Sequence, residues 1–237
     1  EKYHVKHLKI LDELFVSQNK RMEEFCDKLE AKGYDLNIWA YSRVDSVNKD
    51  ILRRLKKVGV TWLAYGFESA EEDILREVDK DNRKASVDEV IRMTQEEGIA
   101  ICAGVMFGLP NETMETLKST YDFIVKYNFE WVNMYPVFPQ PGTKLYESIE
   151  EPRDWKGYAL YGYDCDPMST KYLSAATILR FRDEAFVKYH SRPEYLAIIE
   201  KKFGPDTKDH ILRMLQNSLK RRLLDETAVD PKETKVA

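Results

Sequence analysis

An α/β fold with a parallel sheet, either open or closing toward a barrel, and an α-helical C-terminal region is predicted by three observations. Five short apolar and aromatic runs alternate with helical patterns along the first two thirds of the chain, and such alternation implies parallel strands joined by right-handed crossovers. The run Ile99 to Phe107 carries Ile99, Ile101, Val105, Met106 and Phe107; it is too apolar for a strand wetted on one face and suits one covered on both. From Ser174 onward no strand pattern remains, and three helical stretches follow, Ser174 to His190, Pro193 to Phe203 and Thr207 to Leu224.

The elements follow in order. Val5 to Leu11 reads as a strand that ends at the acids Asp12 and Glu13. Ser17 to Lys32 places Met22, Phe25, Cys26 and Leu29 among many charges, the pattern of a surface helix, and Gly33 closes it. Leu36 to Val44 is the second strand, and Asn48 to Val58 a helix with Ile51, Leu52 and Leu55 on one face and Gly59 as its stop. Thr61 to Phe67 is the third strand, ending at Gly66, Glu68 and Ser69. Two helical pieces follow, 71–78 and 86–97, the second opened by Ser86 and Glu89 at capping-box spacing. The central strand, with Gly104 and Gly108, stops at Leu109-Pro110; Asn111 is the expected N-cap of a helix that runs to Tyr127, with Glu112 beside its first amides. Trp131 to Phe138 is the fifth strand, before the turn from Pro139 to Thr143, and Glu150 to Pro167 reads as a loop.

In parallel α/β architectures the binding site lies at the C-terminal ends of the strands. The polar and glycine residues collect there: Asp12 and Glu13, Ser42 and Arg43, Gly66 and Glu68, Gly108 and Glu112, Gln140 and Thr143. Singly each has an ordinary structural use, since strand-end carboxylates cap helices and Arg43 can pair with Asp45 or Glu68.

Composition narrows the class. The 237 residues carry a net charge of -4 with 33% charged and 43% hydrophobic residues, which argues against a nucleic acid partner or an anionic membrane. No apolar run approaches the roughly 18 residues that span a bilayer, and a cytoplasmic location is expected. The three cysteines, Cys26, Cys102 and Cys165, fit a reducing compartment, and no two have metal-ligand spacing. His190 and His210 stand on expected helices without a nearby second ligand. Lys201, Lys202, Lys208, Arg213, Lys220, Arg221 and Arg222 give the last helices a basic, solvated face. Trp155, Tyr158, Tyr161, Tyr163 and Tyr172 either fasten the helical region to the sheet or line a substrate mouth.

The order of the motifs resembles the radical S-adenosylmethionine (SAM) superfamily, in the branch where a cobalamin-binding domain precedes the barrel. LDELF at 11–15 is similar to the acidic motif after the family's second strand, WAYSRVD at 39–45 to its third strand, and YGFESAEEDILREVDKDN at 65–82 to its fourth. GVMFGLPNET at 104–113 and YPVFPQPGTKLYE at 135–147 resemble the segments of its fifth and sixth strands, and LSAATILRFRDEAFVKYH at 173–190 a helical extension of the same branch. The resemblance implies a partial (β/α) barrel over 1–147 comprising strands two to six, a connecting aromatic segment over 148–173, and a helical extension over 174–237. It implies SAM as cofactor, held through Asp12, Glu13, Ser42, Arg43, Gly66, Glu68, Ser69, Gly104 and Gly108. It further implies a 4Fe-4S cluster that yields a 5'-deoxyadenosyl radical, or cobalamin-dependent methyl transfer through an upstream domain, on a small-molecule substrate.

One departure is large. The CxxxCxxC loop that supplies the cluster thiolates in that family is absent from these 237 residues, as is its first strand. The chain is therefore expected to be a fragment of a longer enzyme, inactive alone, with exposed sheet edges that pair with another chain or lie under the helical region. An iron-free α/β barrel using strand-end carboxylates and a non-catalytic interaction domain are the alternatives.

Overall fold

The computed structural model describes residues 3–78, 86–148 and 154–227. Residues 79–82 of the fourth-strand motif, 149–153 of the connecting segment and 228–237 of the tail lie outside them. Five strands, β1 (His7–Lys9), β2 (Asn37–Ser42), β3 (Val60–Glu68), β4 (Ala100–Phe107) and β5 (Trp131–Pro136), make one sheet in the order β1-β2-β3-β4-β5. The sheet is a parallel half-barrel. Helices α1 (Asn19–Lys32), α2 (Lys49–Lys57), α3 (Glu72–Glu77), α4 (Val87–Glu96) and α5 (Met114–Tyr127) lie between the strands, and α6 (Lys144–Glu147) follows β5. The C-terminal region holds α7 (Ala175–His190), α8 (Pro193–Phe203), α9 (Pro205–Leu215) and α10 (Arg222–Thr227). No helix among the described residues is long and apolar enough to cross a membrane.

The chain divides into two compact units, Glu1–Glu68 with Leu75–Val105 and Ile124–Asn133, and Ser69–Ile74 with Met106–Phe123 and Met134–Ala237. In the first unit one face of each central strand is buried. Ile38 and Ala40 of β2, Leu63, Tyr65 and Phe67 of β3, and Ile101, Ala103 and Val105 of β4 are buried, as are Leu52 and Leu55 of α2 and Val90 and Ile91 of α4. Phe67 stacks on Phe129 at 5.3 Å, and the Tyr65 hydroxyl is satisfied by Thr94 Oγ1 at 3.0 Å. The opposite positions, Lys9, Trp39, Tyr41, Trp62, Ala64, Gly66, Cys102 and Gly104, form the inner face, on which Ala64 and Cys102 are buried and the others are half-buried or exposed. In the second unit, Phe107 meets Phe181 edge-on at 5.1 Å, and Arg182, 2% exposed, donates Nε to the Met134 carbonyl at 2.8 Å.

Four local expectations need correction. β1 is three exposed residues rather than seven, because an edge strand has a ladder partner on one side only. The fifth helix begins at Met114, and its cap is reciprocal: Thr113 Oγ1 accepts from the Thr116 amide and Thr116 Oγ1 from the Thr113 amide. Asn111 is not the cap, since the turn formed by Glu112 intervenes. Ser86 occupies the N-cap position of α4 without a side-chain cap bond; its ψ of 125° lies below the 141° to 169° of Asn48, Thr143, Asp154 and Ser174, which do cap. The stretch 207–224 is two helices, since Arg221 between them is drawn into a buried site, which also removes it from the solvated basic face.

Candidate functional site

The sheet fixes where each strand-end residue stands. Past β1, Asp12 accepts from Arg21 Nη2 at 2.6 Å and from the Leu14 amide at 3.1 Å, and these bonds hold its carboxyl below the usual range. Glu13 is exposed. At the end of β2, Ser42 is buried and donates to the Arg43 carbonyl, while Arg43 forks onto Asp45 through Nε and Nη2, both at 2.8 Å. The Arg43 side chain is 53% exposed. A pair so open to water is worth under about 1 kcal/mol, so a ligand carboxylate competes for the same fork.

At the end of β3 the register against β4 shifts between Gly66 and Glu68. Glu68 sits at φ 63°, the left-handed region that non-glycine residues avoid, so this strand end carries backbone strain. Gly66, exposed, pairs across the ladder with Gly104, half-buried. Neither has positive φ. A Cβ on Gly104 would meet the Tyr65 carbonyl at 3.5 Å and Gly66 Cα at 3.7 Å, which is ordinary contact. The fold thus requires no glycine at 104, and the two bare positions side by side leave a strip of inner-face backbone open to a ligand.

Ser69 and Gly108 belong to the second unit. Ser69 is buried, bonded to Thr120 Oγ1 at 3.3 Å, and accepts from the Glu71 amide. Gly108, at φ 99°, would place a Cβ 3.1 Å from Ile178 Cδ1; here backbone and packing both demand glycine. Glu112 is fully buried, and its Oε2 accepts from the Gly108 and Leu109 amides at 2.7 and 2.9 Å. Burial pushes its carboxyl up to about 7 against those two bonds, while Oε1 has no hydrogen-bond partner. It clamps the turn after β4.

The motifs pass over the inner face of the first unit. Trp131 Nε1 donates to Asn133 Oδ1 at 2.9 Å, Asn133 Nδ2 donates to Cys102 Sγ at 3.4 Å, and Lys9 Nζ lies 4.3 Å from the Trp39 ring centroid. Strand alternation identifies these positions, because Lys9, Trp39, Tyr41 and Cys102 fall in phase with Gly66 and Gly104.

No cluster of thiolates forms. Cys26, Cys102 and Cys165 are free and buried, on α1, on β4 and in the connecting segment. Burial raises all three thiols, Cys102 to about 12, the opposite of the shift a ligating thiolate needs. Among the described residues no group of three histidine, cysteine or carboxylate side chains could hold a metal ion. A 4Fe-4S cluster does not fit the residues of this chain.

A family model described as the radical SAM superfamily matches residues 14–124. An uncharacterized methyltransferase of Pyrococcus horikoshii is 24% identical over 200 residues, 82% of this chain and 43% of that protein. An anaerobic magnesium-protoporphyrin IX monomethyl ester cyclase of Cereibacter sphaeroides is 28% identical over 72% of this chain and 28% of its own length. The chain thus spans less than half the length of these curated relatives. The radical SAM methyltransferase TsrM from Kitasatospora setae, solved with cobalamin and a [4Fe-4S] cluster bound, shares the fold with a TM-score of 0.50 at 16% identity, over 57% of this chain and 26% of that one. Over residues 14–124, then, the chain matches the model of the radical SAM superfamily, and no CxxxCxxC motif occurs in these 237 residues.

Proposed function

We propose that this chain is the SAM-cradling part of a radical SAM enzyme whose cluster thiolates lie outside these 237 residues. The observation that carries the reading is the Gly66–Gly104 pair, two adjacent inner-face positions without side chains, of which Gly104 is required neither by backbone nor by packing. The surrounding groups have the chemistry for the rest of the cofactor. Asp12 and Glu13 are acceptors for an ammonium, the Arg43 fork suits a carboxylate, and Glu68 is an acceptor for ribose hydroxyls. Ser42 supports Arg43 from beneath, through the bond to its carbonyl. In the second unit Gly108 and Ser69 shape the turns that follow β4 and β3.

SAM supplies an activated sulfonium; what this chain's residues do is bind and orient it. The names of the relatives favour methyl transfer or a related carbon-centred reaction in the whole protein, with cobalamin supplied by another domain. The chain alone is inactive in this reading, because the cluster does not fit it.

The test is SAM binding to the chain by saturation-transfer NMR, beside Gly104→Val and Gly108→Ala. Gly104→Val keeps the fold, judged by circular dichroism, and weakens SAM binding by roughly tenfold or more, about 1.4 kcal/mol. Gly108→Ala acts on stability instead. Undiminished SAM binding by Gly104→Val would overturn the assignment of the glycine strip.

A further inference from the structure

At the end of β2 the root of the Arg43 side chain is fixed. The Arg43 carbonyl accepts from the Ser42 hydroxyl at 3.0 Å and from the Ser46 amide at 3.2 Å, and the next residue, Val44, is buried. The head of the side chain is held as well, by Asp45, whose Oδ1 accepts from Nε and Oδ2 from Nη2, both at 2.8 Å. A guanidinium has two edges on which parallel N–H groups meet a carboxylate, one made by Nε with Nη2 and the other by Nη1 with Nη2. Asp45 occupies the first. Among the described residues Nη1 makes no hydrogen bond, so the second edge is open.

The two partners differ in exposure: the Arg43 side chain is 53% exposed and that of Asp45 17%. A ligand that took the edge held by Asp45 would strand a carboxylate that water reaches poorly, and a half-buried anion without its partner is costly. The Nη1–Nη2 edge takes a carboxylate without that loss. Its position suits the glycine strip, because Ser42 pairs with Tyr65 in the ladder, which sets Arg43 level with Gly66. Adjacent strands lie about 4.8 Å apart, so one ligand spans both.

We infer that Asp45 is a positioning residue for carboxylate recognition: it keeps the Nε–Nη2 edge of Arg43 and presents the Nη1–Nη2 edge to the carboxylate of a ligand lying on the Gly66–Gly104 strip. Asp45 itself does not touch that ligand. Naming the ligand as SAM rests on the reading above; the hold of Asp45 on Arg43 does not.

The test compares SAM with decarboxylated SAM, which keeps every group but the carboxylate, by calorimetry on the chain and on Arg43→Met and Asp45→Asn. The unaltered chain binds SAM roughly tenfold more tightly than the decarboxylated form, and Arg43→Met erases the preference. Asp45→Asn weakens SAM by about threefold, within the worth of an exposed pair, and leaves the decarboxylated form unchanged. Tighter SAM binding by Asp45→Asn would make Asp45 a competitor for the fork, and equal losses for both ligands would make its role structural; either overturns the inference. NMR of the Arg43 side chain, with acetate as the probe, reads the same geometry without SAM. Acetate shifts the Nη signals and leaves the Nε–H signal in place, whereas Asp45→Asn loses that Nε–H signal. Movement of Nε–H on adding acetate, or Nη signals that ignore it, would also overturn the inference. Acetate recognised in this way with neither form of SAM bound would sink the cofactor reading alone; a preference for SAM that Asp45→Asn leaves intact would sink this inference alone.

Discussion

Gly104 and Gly108 look interchangeable in the motif GVMFGLPNET, and the structure separates them. Gly108 holds φ 99° and faces Ile178 at 3.1 Å from its would-be Cβ, so Gly108→Ala costs about 1 kcal/mol or more in urea unfolding, while Gly104→Ala stays within roughly 0.5 kcal/mol. Equal losses at both would refute the distinction. His190 gives a second residue-scale prediction. It is fully buried, in contact with the Phe186, Tyr189 and Tyr195 rings, with Nδ1 donating to the Phe186 carbonyl at 2.9 Å. Desolvation lowers it from 6.5 to about 4. The unfolded chain therefore binds a proton that the folded one refuses between those values, and stability falls as pH drops from 6.5 toward 4, by at most about 3 kcal/mol. Glu112 works the other way: its raised carboxyl stabilises most below 4.5 and loses that contribution as pH rises through about 7. In a series of urea titrations from pH 7 to 4, His190→Phe flattens the acid limb; an unchanged slope would mean that His190 is not what titrates.

At the scale of elements, the helical region is fastened by charge. Arg182 and Arg221, 2% and 1% exposed, share Asp183: Arg221 forks onto it through Nε at 2.8 Å and Nη2 at 3.0 Å, and Arg182 Nη1 reaches it at 2.8 Å. Arg221 Nη1 also donates to the carbonyls of Leu160 and Gly162, tying the segment before α10 to α7 and to the connecting loop. Removing one partner of such a network strands the others, so Arg221→Ala costs about 3 to 5 kcal/mol, visible as a lower unfolding midpoint. A loss below about 1 kcal/mol would show that water replaces the guanidinium. The aromatic segment is less committed. Tyr158 is anchored by its hydroxyl to the Pro139 carbonyl at 2.7 Å, whereas Trp155 and Tyr161 are 74% and 66% exposed.

At the scale of the whole molecule, the sheet ends at β1, whose outer side has no strand partner among the described residues. Leu8 of β1 is 40% exposed, and Val5, Leu11 and Leu14, which flank the strand in the chain, are 52%, 72% and 49% exposed. An apolar edge of this kind is a template for pairing. The chain alone is therefore expected to associate with rising concentration in sedimentation velocity, and Leu8→Lys with Leu11→Asp to suppress this; a monomer at every concentration would show the edge to be protected.

The sequence by itself determined the element order and the resemblance to the radical SAM superfamily. Ile99 to Phe107 announced a strand, covered on both faces over Ala100 to Ala103 and half-buried at Gly104 and Met106, Gly33 and Gly59 announced helix ends, and the strand-end motifs carried the resemblance to the superfamily, because each signal is local and survives without knowledge of its neighbours. The absence of a cysteine triad was equally plain. Only the tertiary structure decided what each residue meets: that Arg43 forks onto Asp45, that Glu112 turns back to the Gly108 and Leu109 amides, that Arg221 is buried rather than solvated, and that Lys9 lies over Trp39. These depend on register and on which face of a strand looks inward, and both are fixed by pairings between residues far apart in the chain.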